Sequence, residues 1–103
     1  MASWLSRALD RIRNLAAARR VRLTVKALAE VRRLGLGVDD VVDILTALSP
    51  ADSAGRLRSS ESSEWLYVFK PTVAEVVLYV KVVLRGDCVV VSFHEDKPDE
   101  KGH

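Results

Sequence analysis

The stretch VVLYVKVVLRGDCVVVSFHED, residues 76–96, constrains the fold more than any other part of the chain. Two runs rich in β-branched residues, 76–84 and 88–93, flank Arg85-Gly86-Asp87, where Gly and Asp supply the tight turn of an antiparallel hairpin. Side chains alternate along a strand, so Leu78, Val80, Val82 and Leu84 share one side while Val77, Tyr79, Lys81 and Val83 share the other. On the second strand the same alternation groups Val90, Ser92 and His94 against Val91 and Phe93. The near-continuous valines call for cover on both faces, or for a partner that closes the second one.

What covers the hairpin comes earlier in the chain. Over residues 3–18, Trp4, Leu5, Ala8, Leu9, Ile12, Leu15 and Ala16 recur every three or four positions, with Arg7, Arg11 and Arg13 between them, which predicts an amphipathic helix. Val21-Arg22-Leu23 reads as a very short strand. Thr24 is a natural N-cap for a second helix carrying Ala27, Leu28, Val31 and Leu34, which Gly35 ends. A third helix is expected over 38–48, with Asp39, Asp40 and Asp43 where the helix dipole favours negative charge. Residues 49–64, SPADSAGRLRSSESSE, have no sustained period and read as a surface loop presenting Arg56 and Arg58. WLYVFK, residues 65–70, is aromatic and β-prone and is stopped by Pro71. Helices followed by at least three strands predict an α+β fold, with the helices packed on an antiparallel sheet.

At 103 residues the chain is expected to form a single domain, 1–103, with a flexible charged tail from about residue 97. Its lone cysteine, Cys88, has no intramolecular disulfide partner and sits in an apolar strand, as a small buried thiol does. No Cys/His spacing suits zinc, and no cofactor is implied. The longest apolar run is interrupted by Glu75 and Lys81, and the N-terminus lacks the apolar core of a secretory signal, so the expected compartment is the cytoplasm. Net charge is only +2, yet residues 1–33 hold nine Arg and Lys against two acids, whereas 34–64 hold six acids against two arginines. A basic N-terminal third of this kind suits phosphates or an acidic protein, although a solvated helix face is the commoner meaning of an Arg-rich amphipathic segment.

If the polar sides of the two hairpin strands face the same way, the phenol of Tyr79, the ammonium of Lys81 and the imidazole of His94 converge on one surface. RNA is cut without a metal when a base takes the 2′-OH proton, the oxygen attacks phosphorus, cations steady the phosphoryl oxygens and an acid protonates the leaving 5′-oxygen. His94 suits either proton role. Lys81, Arg56 and Arg58 suit charge stabilisation, and Tyr79 suits phosphate positioning or base stacking. Each also has a plainer use: a packed tyrosine, an edge lysine, an exposed histidine.

The segments LTVKALAEVRRLGLGVDDVVDILTAL, LSPAD, EWLYVFKP and VVLYVKVVLRGDCVVVSFHED resemble the MqsR family of toxin-antitoxin mRNA interferases, in the same order and over roughly residues 12–96. The resemblance implies a RelE-like α+β ribonuclease fold, metal-independent endonucleolytic cleavage of mRNA and neutralisation by a cognate antitoxin protein. Carried over by position, the family's strand tyrosine falls on Tyr79 and its C-terminal lysine on His94. The loop lysine falls near Gly55 to Arg56, and the glutamine after the loop tryptophan falls on Leu66. His94, Tyr79, Arg56 and Lys81 are therefore expected to be catalytic, and Arg58, Lys70 and Tyr67 to bind substrate. The alternative is a non-catalytic RNA- or protein-binding module of the same fold, favoured by the changes at Leu66 and in the loop.

Overall fold

The computed structural model describes residues 3–97. Helix α1, Trp4–Ala17, starts at Ser3, whose hydroxyl accepts the Ser6 N–H, and buries Ala8, Leu9, Ile12 and Ala16 along one stripe. The chain then forms β1, Val21–Leu23, and turns at once into α2, Val25–Arg33, where the Thr24 hydroxyl caps the Ala27 N–H. Gly35 leaves α2 with φ of 77°, a conformation that suits glycine at a helix end. Helix α3, Val38–Thr46, buries Val41, Val42 and Leu45; Asp40 turns back to accept the Gly37 N–H at 2.8 Å. The Arg13 guanidinium donates to the Leu48 carbonyl at 2.8 Å and ties α1 to the chain leaving α3.

The remaining strands are β2 (Ser53–Arg58), β3 (Trp65–Phe69), β4 (Thr72–Val73), β5 (Val76–Leu84) and β6 (Cys88–Glu95). The sheet order is β1-β6-β5-β3-β2, with β4 paired to β5. The α+β expectation holds; the sheet is mixed, because β1 runs parallel to β6 while the other pairs are antiparallel. Leu9, Ile12, Val31 and Leu45 from the helices meet Phe69, Val80, Val82, Val90 and Phe93 from the sheet in one core. Cys88 is fully buried there.

Three sequence expectations need correction. Residues 49–64 do not form a structureless loop: Pro50–Asp52 is a 3-10 turn, and Ser53–Arg58 is an edge strand on β3. Its pattern is hard to see because Gly55, with φ of 99°, lies in a register shift between Ser53 and Arg56 and breaks the alternation. Second, Val90 does not share a side with Ser92 and His94. Lys81 pairs with Ser92 but Val82 pairs with Val90, so Val91 is an extra residue and Val90 turns into the core. Third, the short β4 was not foreseen; it joins β5 through Ala74 and Glu75, which both take positive φ, 52° and 68°, without the glycine or asparagine that usually marks such a turn. Among the described residues no helix is long and apolar enough to cross a membrane. Residues 98–103 of the expected flexible tail lie outside the described residues.

Candidate active site on the face turned away from the helices

Register decides which side chains meet. Val80 pairs with Phe93 and both are core residues, so their neighbours Tyr79 and His94, paired with each other, point to the opposite face. There the two rings stack, with centroids 5.1 Å apart and planes 11° from parallel. The next pair on this face is Lys81 with Ser92. The extra residue Val91 comes just after these pairs in the ladder, so the polar residues keep their alternation while the apolar half of β6 still reaches the core.

The His94 Nδ1 lies 3.0 Å from the Glu95 carbonyl oxygen. A carbonyl can only accept, so in the neutral ring Nδ1 carries the proton and Nε2 keeps the lone pair. The ring is thereby oriented with a free basic nitrogen.

Helix α2 completes one flank. Strand β1 pairs with β6 only as far as Val90, which leaves the outer edge of β6 beyond that point without a strand partner. Glu30 fills the role: its carboxylate accepts the Phe93 N–H at 2.9 Å. Lys26, one helical turn earlier, sits 3.3 Å from Glu30 and donates to the Ser92 hydroxyl at 3.1 Å. Ser92, 4% exposed, is the buried polar side chain of the described residues, and Lys26 satisfies it. Burial pushes the Glu30 carboxyl upward, but the Phe93 N–H, Lys26 and the nearby His94 together outweigh it and hold the group below its ordinary value.

Lys70 follows Val68 by two residues, and Val68 pairs with Lys81, so Lys70 belongs to the same face; its ammonium lies 3.5 Å from Asp96. The Pro71 carbonyl accepts the Leu78 N–H at 2.9 Å and keeps this end of β3 beside the Tyr79 end of β5. Of the residues expected at the site, the structure thus brings together Tyr79, His94, Lys81 and Lys70.

It does not bring Arg56, Arg58 or Tyr67 there. Tyr67 pairs with Val82 and points to the helix side, where it stacks on Trp4 at 5.9 Å. Arg56 pairs with Tyr67, and Arg58 with Trp65, so both arginines follow to that side. The Arg56 guanidinium lies 4.5 Å from the Trp4 ring and 3.9 Å from Trp65, and Arg58 lies 4.4 Å from Trp65. The expected partnership of Arg56 with Lys81 therefore fails on geometry: the two project from opposite faces. Leu66, next to Trp65, faces the Tyr79 side and brings no polar group to it.

Lys26 and Glu30 were missed by sequence reasoning. Their spacing of four on α2 was a visible signal, but only the parallel pairing of β1 with β6 places that helix along the β6 edge.

A family model described as "Motility quorum-sensing regulator, toxin of MqsA" matches residues 6–95. Among curated proteins, the mRNA interferase toxin MqsR of Escherichia coli (strain K12) is 30% identical over 88 residues, spanning 84% of this chain and 90% of that one. The match reaches from the first turns of α1 to the end of β6 and so takes in the whole sheet and all three helices: the chain belongs to the MqsR toxin family.

Proposed function

We propose that this chain is the toxin of a toxin-antitoxin pair and cuts mRNA as an endoribonuclease on the face carrying Tyr79 and His94, without a metal ion. The observation that carries the reading is the stacked Tyr79–His94 pair, which sets a phenol hydroxyl and an imidazole side by side on an accessible sheet surface. The E. coli relative bears the name mRNA interferase toxin, and the matched family is described by its antitoxin, MqsA; a cognate antitoxin is the expected partner here and the cytoplasm the expected compartment.

In the proposed reaction His94 Nε2 takes the 2′-OH proton, and the 2′-oxygen attacks the adjacent phosphorus. The bond from phosphorus to the 5′-oxygen breaks, that oxygen takes a proton from water, and the His94 imidazolium returns its proton to the solvent, so the products are a 2′,3′-cyclic phosphate and a 5′-hydroxyl. Tyr79 orients the phosphate through its hydroxyl. Lys81 supplies positive charge to the phosphoryl oxygens as negative charge grows there, without the Arg56 that the sequence reading set beside it. Lys70 attracts the substrate backbone.

Naked RNA incubated with the purified protein in EDTA tests this directly. The expected result is cleavage with those two product ends, lowered by about 10²-fold or more in His94→Ala, the range of a lost general acid or base. Intact RNA in chelator, or an unaltered rate in the variant, overturns it. A second reading, a binding module without turnover, draws on Leu66 and Gly55, which bring neither charge nor hydrogen bond to this face; it predicts binding that weakens steeply with salt while the RNA stays whole.

A further inference from the structure

The arginines that miss the Tyr79–His94 face assemble something else. Trp4 at the start of α1, Arg7 and Arg11 one and two turns on, Arg56 of β2, Tyr67 of β3 and Leu84 of β5 line a cleft of about 290 Å³. Its composition is unusual for a packing defect. The Arg56 guanidinium lies over two indoles, Trp4 and Trp65, Trp4 stacks on Tyr67, and Arg58 also lies over Trp65. Trp4, Arg56, Tyr67 and Trp65 are only half-buried, and Arg7, Arg11 and Arg58 are exposed. Neither Arg11 nor Arg56 has a carboxylate within 4.0 Å among the described residues, whereas Arg19, Arg20, Arg22 and Arg85 all do.

We propose that this cleft is a second RNA-binding site, which holds the backbone of single-stranded RNA on Arg7, Arg11 and Arg56 and stacks a base against the Trp4–Tyr67 pair. The inference rests on the reading of the chain as an RNA-cutting toxin. Interleaved guanidinium and aromatic groups are what a single strand needs, since cations track the phosphates while rings accept any base by its π-face. An acidic protein would be served by the arginines but has less use for the exposed rings. Stacking also fixes the Arg56 fork, so less side-chain entropy is lost when it meets a phosphate.

The cleft and the cutting site are separate. They open on opposite faces of the sheet, and Leu84 lies five residues along β5 from Tyr79, about 17 Å at the rise of an antiparallel strand. No single nucleotide touches both. The cleft therefore acts on long substrates, holding a flanking segment that wraps the sheet edge while another segment is presented to His94.

The chain contains two tryptophans, Trp4 and Trp65, both in this cluster, so intrinsic indole emission reports on the cleft and not on the Tyr79–His94 face. The wild-type chain is titrated with an eight-residue 2′-O-methyl oligoribonucleotide, which lacks the 2′-hydroxyl nucleophile and cannot be cut, with a 2′-O-methyl dinucleotide, and with polyglutamate. The octamer is expected to change the emission saturably, and the dinucleotide to bind at least tenfold more weakly. Arg11→Ala, an exposed helix substitution, is expected to weaken the octamer several-fold and to reduce the slope of log affinity against log salt by about 0.7, the value for one single-strand phosphate contact. Arg32→Ala, on α2 and outside both sites, should match wild type. Unchanged emission at saturating octamer, Arg11→Ala equal to Arg32→Ala, or a response to polyglutamate equal to that of RNA overturns the proposal; the last outcome makes the cleft a surface for an acidic protein. Because the probe cannot be cleaved, this result is independent of the product-end assay: a silent cleft with active cleavage refutes only the second site, and a responsive cleft without cleavage refutes only the catalytic reading.

Discussion

Glu30→Ala removes the one group that lets β6 pass beyond β1. In the wild type the Phe93 N–H points to an edge with no strand partner and donates to the Glu30 carboxylate, whose side chain is only 11% exposed. Phe93 itself is fully buried. A hydrogen bond to a charged acceptor contributes about 1.5–3 kcal/mol, and a buried donor left without a partner costs a similar amount. The Lys26 ion pair adds little, since Lys26 is 62% exposed and such pairs contribute at most about 1 kcal/mol before screening. The expected loss for Glu30→Ala is therefore about 2–3 kcal/mol. Glu30→Gln keeps an oxygen that can accept the Phe93 N–H and loses only the charge, for about 1 kcal/mol.

Urea unfolding followed by far-UV circular dichroism measures both. With a slope of about 1–2 kcal/mol per molar, Glu30→Ala should lower the midpoint by roughly 1–3 M with the slope unchanged. The pH dependence supplies a second check. The folded pKa of Glu30 lies below its ordinary 4.5, so the unfolded chain holds the proton more readily. The carboxylate's contribution is complete above 4.5 and drains away as pH falls through the lowered folded value. The gap between wild type and Glu30→Gln should thus be full at pH 7 and close in acid. A Glu30→Ala protein within about 0.5 kcal/mol of wild type would refute the argument, because it would mean that water or a shifted α2 satisfies the Phe93 N–H equally well.

Three further outcomes follow from single residues. Burial pushes the Cys88 thiol up to about 12, so a disulfide reagent at pH 8 should leave it unmodified in the native protein and react fully in urea. The Arg85 guanidinium, bonded to both oxygens of Glu64 at 2.8 and 2.9 Å, and the Ser62 hydroxyl at 2.9 Å hold that carboxyl at about 2; by NMR titration, Arg85→Ala should raise it toward the ordinary 4.5, with the Ser62 bond still keeping it below. At Gly55 a methyl group would meet nothing within 4 Å, yet φ is 99°, so Gly55→Ala should cost about 1 kcal/mol in urea unfolding through backbone strain alone, and no loss would show that β2 has re-registered.

The helices were legible in the sequence because each carries its own signal. Thr24 caps as expected, Gly35 turns where expected, and the buried positions of α1 are those its period marks. Strands β3, β5 and β6 were legible for the same reason, being apolar enough to declare themselves. Strand β2 was not. Its one large aliphatic, Leu57, is 50% exposed, and what holds its inner side chains is the contact of Arg56 and Arg58 with indole rings, an interaction that no period of hydrophobicity records. The parallel pairing of β1 was equally hidden, since three residues of strand carry no mark of direction.

The site was half legible, and the boundary has a geometric cause. Alternation groups Tyr79 with Lys81 on one strand and Ser92 with His94 on the other, but it does not join the two groups: counted across the turn from the Leu84–Cys88 pair, Tyr79 would meet Phe93, and only the extra residue at Val91 shifts the register so that Tyr79 meets His94. Arg56 is different. Its face depends on counting from a partner: Phe69 is core, hence Tyr67 and Trp65 point to the helices, hence so do the residues paired with them. Carrying the family's loop lysine over by position leaves Gly55 and Arg56 as neighbouring candidates for one role, and neighbours on a strand point opposite ways, so a shift of one position becomes a choice between two faces of the domain. Electrostatics follows from that parity. With Arg56 directed to the indoles, positive charge near His94 comes from Lys81, with Lys26 and Lys70 at the flanks, and each of these is an ammonium that swings on a flexible stem rather than a planar fork. If RNA is cut here as proposed, such a site would neutralise a phosphate without dictating its orientation, which would leave the aim of the scissile bond to the Tyr79 hydroxyl and the stacked imidazole.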